Sequence, residues 1–492
     1  MRAVSAALAP LALGMMFLAG AAHAKDTLTL GMVLEPPILD PTAGAAAAIS
    51  EVTYANIYQG LTRIDEHGAV QPALAKSWTL APDGLAYSFK LQPGVKFHDG
   101  EKFDCSTVQF TYGRAAAKDS VNPQKPIFEP IAGVTCPDPL TAVVALKRPT
   151  GGFLFSMGLA AAVMVAPDSV KDDKTHPVGT GPFIFKQWIK GDRVELARNP
   201  HYWGAPAKLA GVTFRFIADP SAATTAVMAG DIDAFSLFPA PEALDAIRKD
   251  PRFKVVVGTT EGKTILALNN GRKPFSDVRV RRALAYAIDR NALITALGGY
   301  GTPIGSHYIP GDPGFVDLTG AYPYDPAKAR ALLAEAGVKP GTQMVIKLPP
   351  PPYARRGGEV IAAMLQQVGI NAKLVPVEWA QWLDQVFRHG DFDMTIISHV
   401  EPRDLDIYAR PKYYFDYHSA AYDALFKRYT EAVDDKLRLD LAGQLQRQLS
   451  ADEPNVFLFA LPKIGVWNAK LHGLWTSNPI FANDVTGVYW AN

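Results

Sequence analysis

The chain has 492 residues, with 49 Lys and Arg against 48 Asp and Glu, a formal net charge of +1 at neutral pH. One hydrophobic core rarely extends past about 250–300 residues, so more than one lobe is expected. The charge balance excludes a bulk nucleic-acid binder, which needs a concentrated basic face, and no repeat or biased tract points to a fibrous or disordered class.

Met1-Arg2 followed by the apolar stretch Leu8–Ala22 and then Ala22-His23-Ala24 has the pattern of a cleaved secretion signal over 1–24. The alternative is a membrane anchor, but the stretch is shorter than the roughly 20 apolar residues that span a bilayer. No cysteine lies beside the cleavage site, so a lipid anchor there is not expected and the mature chain is read as a freely diffusing periplasmic protein. The two cysteines, Cys105 and Cys136, then reach an oxidising compartment. They form either a disulfide, contributing about 3 kcal/mol by loop closure, or two buried thiols; the disulfide is the expectation. No Cys-x-x-Cys or histidine cluster accompanies them, so neither a metal site nor a cofactor is expected.

Thr27–Val33 alternates as a strand and is broken by Glu35-Pro-Pro. Tyr87, Phe89 and Leu91, then Val95 and Phe97 beyond Pro93-Gly94, read as a meander. Phe183 and Phe185 with Val194 and Leu196 flank Gly191-Asp192 as a hairpin, and Val212–Phe216 is a further strand. Gly258–Thr264 faintly suggests a phosphate loop but is one residue short; a β-turn is the reading. Ser276 caps a helix carrying Val280, Leu284, Ile288 and Leu297, and Asp325-Pro326 starts another that ends before Gly337. Strands at Met344–Leu348, Lys373–Val377 and Met394–Ser398 alternate with a helical stripe through Val360–Val368, which predicts an α/β lobe with a partly parallel sheet. One long helix is expected over Ala421–Leu449, then an apolar strand over Val456–Leu461.

Four blocks in order carry a resemblance. They are Leu74-Ala-Lys-Ser-Trp78 through Phe97-His-Asp-Gly100; Val178-Gly-Thr-Gly-Pro-Phe183 with Asn199-Pro-His-Tyr-Trp203; Phe275-Ser-Asp-Val-Arg279 through Asp289-Arg290; and Tyr324-Asp-Pro-Ala-Lys-Ala329 through Gly337. Together they resemble the family 5 extracellular solute-binding proteins, the dipeptide, oligopeptide and nickel receptors of ABC importers. The resemblance implies an α/β, two-lobed periplasmic-binding-protein fold of type II, with an extra subdomain in the first lobe and a hinge between lobes. It places the first lobe at 25–268, with the inserted subdomain about 55–176, the second lobe at 269–465, and a return to the first lobe at 466–492. It further implies capture of a small peptide or peptide-like solute by lobe closure, delivery to an ABC permease and ATPase complex, a monomer, and no catalysis.

In peptide-binding members an aromatic and an acidic residue follow the strand that ends here near Ser398. The usual Trp-x-x-Asp is absent, and the stretch reads Ser398-His399-Val400-Glu401-Pro402-Arg403-Asp404. His399 stands for the aromatic, and Glu401 or Asp404 for the acid that pairs with a ligand ammonium; the alternative is a solvated acidic loop. Lys347, Arg355 or Arg356 stands for the ligand-carboxylate partner, or the two arginines are surface charge at a helix start. Trp379 stacks on ligand or packs in the core, and Tyr408, with Tyr413 and Tyr414, lines a pocket or packs on a β-surface. His307 is given no function. These departures leave opines, modified sugars and other amphiphiles open as ligands. An exported enzyme is the rival class, although Gly-x-Ser-x-Gly and His-Glu-x-x-His are both missing.

Overall fold

The computed structural model describes residues 25–491; the predicted signal segment lies outside them. Two very long strands, Phe253–Leu268 and Asn455–Asn468, run antiparallel through the middle of an 11-stranded sheet. At one end they join Ala234–Phe235, Thr27–Met32, Gly211–Phe216, Arg193–Arg198 and Phe183–Ile189; at the other they join Met394–His399, Thr342–Leu348 and Ile370–Pro376. The result is a two-lobed α/β fold whose lobes share a pair of crossing strands. Their pairing is irregular between Thr259 and Lys263, where the partner passes from Pro462 to Ala460. Extra residues in one strand of a pair bend and twist it locally. The β-turn reading of Gly258–Thr264 is therefore corrected: the segment lies within a strand and carries its irregularity.

Each lobe has its own core. Leu28, Leu30, Val194, Val212 and Phe214 pack with Trp467, Leu471, Val485 and Val488, so the C-terminal segment closes onto the first strand. In the second lobe, Ile265 and Leu266 enter opposite clusters, one with Tyr308, Tyr408 and Leu445, the other with Leu284, Ile346 and Leu365. Alternating side chains buried on both faces explain why these strands read as continuous apolar runs. A separate four-stranded antiparallel sheet, Ala75–Leu80, Ala86–Leu91, Thr141–Leu146 and Ile131–Asp138, packs on the helix Cys105–Ala116. Val95 and Phe97 fill that core from a loop rather than extending the meander. Cys105 and Cys136 are bonded, tying the helix to the edge strand of this sheet.

Two expected long helices are each interrupted by a capping aspartate. Val278–Ala287 is capped by Asp277, not Ser276, and Arg290–Ala296 restarts on Asp289, which accepts from the backbone N–H groups of Asn291 and Ala292. Likewise Ala420–Glu431 stops before Asp434, which accepts from Leu437 N and opens Asp435–Asp452. In both cases a side-chain carboxylate satisfies the free N–H groups of the new helix start, a break that helical periodicity alone does not reveal.

Candidate ligand-binding cleft

In the second lobe, Thr342–Leu348 is parallel to both Ile370–Pro376 and Met394–His399. The C-terminal ends of all three therefore lie on one edge, where chain loops leave a crevice suited to ligands in open α/β sheets. Lys263 pairs with His399 on that edge, and the strand that carries it continues past the register break toward the first lobe. The loop after His399 reaches the other lobe. Arg403 spans the gap: its Nη2 donates to the Gly68 carbonyl at 2.9 Å, and its guanidinium lies 3.9 Å from the Phe155 ring centroid. Gly151 N donates to Thr430 O at 2.6 Å as a second contact between the halves.

Behind this edge lies a buried polar network centred on Asp404. Lys263, fully buried, places its ammonium 2.8 Å from Asp404 Oδ1 and 3.5 Å from Glu261 Oε2, and donates to the Glu401 carbonyl at 2.5 Å. The tautomer of His307 follows from its neighbours. Leu268 N donates to Asn455 Oδ1, which orients that amide so that its Nδ2 donates to the Tyr408 hydroxyl at 3.2 Å. The hydroxyl then donates to His307 Nδ1, and His307 Nε2–H donates to Asp404 Oδ1, each at 3.0 Å. His399 reaches the Tyr414 hydroxyl at 3.0 Å and the other Asp404 oxygen at 3.7 Å. Burial raises the pKa of Asp404, but the charge of Lys263 and the hydrogen bond from His307 outweigh it and hold the group far below the carboxylate range. Burial is the largest influence on both histidines: it lowers the pKa of His307 and takes that of His399 to about 3. Glu261 is pushed up by burial and then by the nearby Asp312.

The fold brings His307, far away in sequence, together with His399 and Asp404. His307, His399 and Asp404 each offer a ligand atom within 4.8 Å of one another, a grouping that a divalent ion can use. The buried ammonium of Lys263 already sits on the same carboxylate, however, and like charges in a low-dielectric interior repel strongly. The arrangement is that of a hydrogen-bonded network fixing Asp404, and His307 belongs to it.

The predicted site residues separate accordingly. Asp404, His399 and Tyr408 are buried in the network, with Asp404 occupied by Lys263 and Tyr408 by His307 and Asn455. Arg355 ion-pairs with Glu378 at 2.9 Å, Arg356 donates to the Ala296 carbonyl, and Lys347 binds Gln385 and Asp391. Glu401 and Trp379 remain accessible. The Glu401 side chain is exposed on the loop, and partial burial followed by the charge of Asp404 raises its pKa. Trp379 is 42% exposed while its ring packs edge-on to Trp382; with Leu383 at 42% and Phe387 at 43% it forms an apolar stripe. Tyr413 connects the stripe to the acidic loop, with ring centroids 5.8 Å from Phe387 and 6.2 Å from His399.

Lys263, Glu261, Asp312 and Arg403 were missed by the sequence reading. The available signal was a pair of charged residues placed directly before the apolar run Ile265–Leu268.

A family model described as bacterial extracellular solute-binding proteins, family 5, middle region, matches residues 69–420. The chain belongs to this family. The glutathione-binding protein GsiB of Salmonella typhimurium is 32% identical over 361 residues, covering 72% of this chain and 70% of that protein. Among solved structures, the family fold recurs in the periplasmic binding protein DppA of Helicobacter pylori in complex with the peptide STSA. That match has a TM-score of 0.80 at 25% identity and covers 95% of this chain and 99% of the other. The substrate-binding protein CtaP of Listeria monocytogenes shares the fold with a TM-score of 0.85 at 21% identity, over 95% of this chain and all of the other. Among the described residues no helix is long and apolar enough to cross a membrane.

Proposed function

We propose that the protein is a periplasmic receptor that captures a small peptide or peptide-like solute between its lobes and presents it to an ABC permease and ATPase complex, without chemical change to the solute. The division into lobes at 25–268 and 269–465, with a return at 466–492 and the inserted subdomain about 55–176, is part of this reading, as are removal of residues 1–24 and a monomeric state. The crossing strands, irregular at Thr259–Lys263, act as the hinge. The observation that carries the reading is the accessible Glu401 carboxylate on the crevice edge of the parallel strands, bordered by the apolar stripe from Trp379 to Phe387. A ligand ammonium meets Glu401 and its apolar part meets the stripe. Glutathione, named for the GsiB relatives, is the first solute to try.

Closure shifts with ligand only if the closed state binds it better than the open state. X-ray scattering with and without glutathione should show compaction, and calorimetry should show saturable binding without turnover. Glu401→Gln should weaken binding by about tenfold or more through loss of a charge-assisted hydrogen bond. Equal affinity of mutant and parent rejects the role of Glu401, and an unchanged scattering curve at saturating ligand rejects capture by closure.

A further inference from the structure

The two crossing strands each carry a buried lysine, and the two are provided for differently. Lys263 has Asp404 and Glu261 within ion-pair distance. Lys463, opposite Gly258 on the partner strand, is 1% exposed, and among the described residues no carboxylate lies within 4.0 Å of it. Its one hydrogen-bond acceptor is Asn478 Oδ1 at 2.6 Å. An ammonium only donates, so this contact fixes the amide: its oxygen points to Lys463, and its Nδ2 is the outward donor. That Nδ2 is buried and has no partner, although Asn478 itself is anchored by its N–H to the Thr259 carbonyl at 2.8 Å. Surplus donors therefore meet an ammonium that has no counter-ion in contact. A trapped water satisfies donors and leaves the charge; an anionic acceptor satisfies both.

The location fits a ligand. Pro479, next to Asn478, borders Gly68, the residue whose carbonyl Arg403 grips from the other lobe; a Cβ built on Gly68 meets Pro479 at 3.3 Å and Arg403 Nη2 at 3.5 Å. Asn478 and Lys463 thus lie next to the clasp between the lobes. The basic groups expected to hold a ligand carboxylate, Lys347, Arg355 and Arg356, are engaged elsewhere. We propose that Lys463 and Asn478 form a carboxylate-binding subsite at the crossing of the lobes, taking an anionic end of the captured solute. The inference rests on the receptor reading and gives it a second charged contact. Burial without a contact partner also lowers the Lys463 pKa to about 7, against which the more distant charges of Glu51 and Glu66 work. Glu51 faces it from the helix Ala47–Thr53 with its own pKa raised by burial to about 7.

The test uses the full chain with three probes: glutathione, its glycine amide and its γ-glutamyl α-carboxamide, by calorimetry, with a melting curve for every variant. The parent should prefer glutathione over one of the amides by at least about 30-fold, the scale of a lost partner in a desolvated charge pair. Lys463→Met should erase that preference. Asn478→Asp supplies an internal counter-ion, so it should raise the melting temperature while also erasing the preference, which keeps the test valid if Lys463→Met folds poorly. Glu51→Gln should leave the preference intact or enlarge it. The proposal is overturned if Lys463→Met and Asn478→Asp keep the preference, or if Glu51→Gln loses it as fully as Lys463→Met, which would make Glu51 the counter-ion. A parent that binds glutathione and both amides equally rejects the subsite alone. A parent that closes on none of the three rejects the glutathione-like reading and the subsite together.

Discussion

His399 shows how a single residue links burial to pH. Its folded pKa of about 3 lies below the unfolded value near 6.5, because burial and then the charge of His307 disfavour the imidazolium. A depressed histidine contributes stability that is complete above pH 6.5 and is lost as pH falls toward 3. Between pH 6.5 and 4 that loss is roughly 3 kcal/mol for this one group. Asp404, also depressed, adds its own loss only below the ordinary carboxylate range. Replacing His399 with Gln should therefore flatten the dependence of unfolding free energy on pH in that window, measured by urea titration at each pH; a slope equal to the parent's refutes the assignment. Residue types at this scale were only partly legible. The acidic loop was visible, and the sequence favoured Glu401 over Asp404 without giving the physical reason. Burial of one beside Lys263 and exposure of the other separate them.

Elements were more legible than residues, and glycine gives the reason in one case. Gly179 and Gly181 follow Val178 in the second block, and a glycine can serve there either for positive φ or for close backbone packing. A Cβ at Gly179 would stand 2.0 Å from the Ile57 carbonyl oxygen, and one at Gly181 would stand 2.3 Å from that of Asn56. Close backbone approach is the cause. Gly179→Ala should destabilise the protein by about 2–3 kcal/mol, as overpacking against rigid backbone does. Chemical denaturation checks this, and a change under 0.5 kcal/mol, the size of an ordinary surface substitution, counts against it. The strands of the parallel edge were read correctly because alternation and β-branched content coincide there. The two long helices were read as continuous because helical periodicity alone does not reveal the breaks at Asp289 and Asp434, while the caps that divide them act through backbone N–H groups.

At the scale of the molecule, Arg403 supplies a hydrogen bond and a cation–π contact across the two halves. Contacts of these kinds are each worth on the order of 1 kcal/mol. Arg403→Ala should shift the closed fraction and the apparent affinity by about tenfold, since affinity scales with the population of the binding-competent state. Its melting temperature should stay near the parent's, because no core residue is removed. Scattering and calorimetry report the two quantities, and wild-type affinity in the variant removes the clasp.

The sequence alone determined the family, the α/β class and the order of most strands, because these follow from periodicity, caps and local blocks. Only the tertiary structure decided which charges are free. Lys263 and Asp404 are 141 positions apart in sequence, and Lys463 stands on the strand that pairs with that of Lys263. Whether a charge binds a neighbour or awaits a ligand depends on distances that no local pattern encodes.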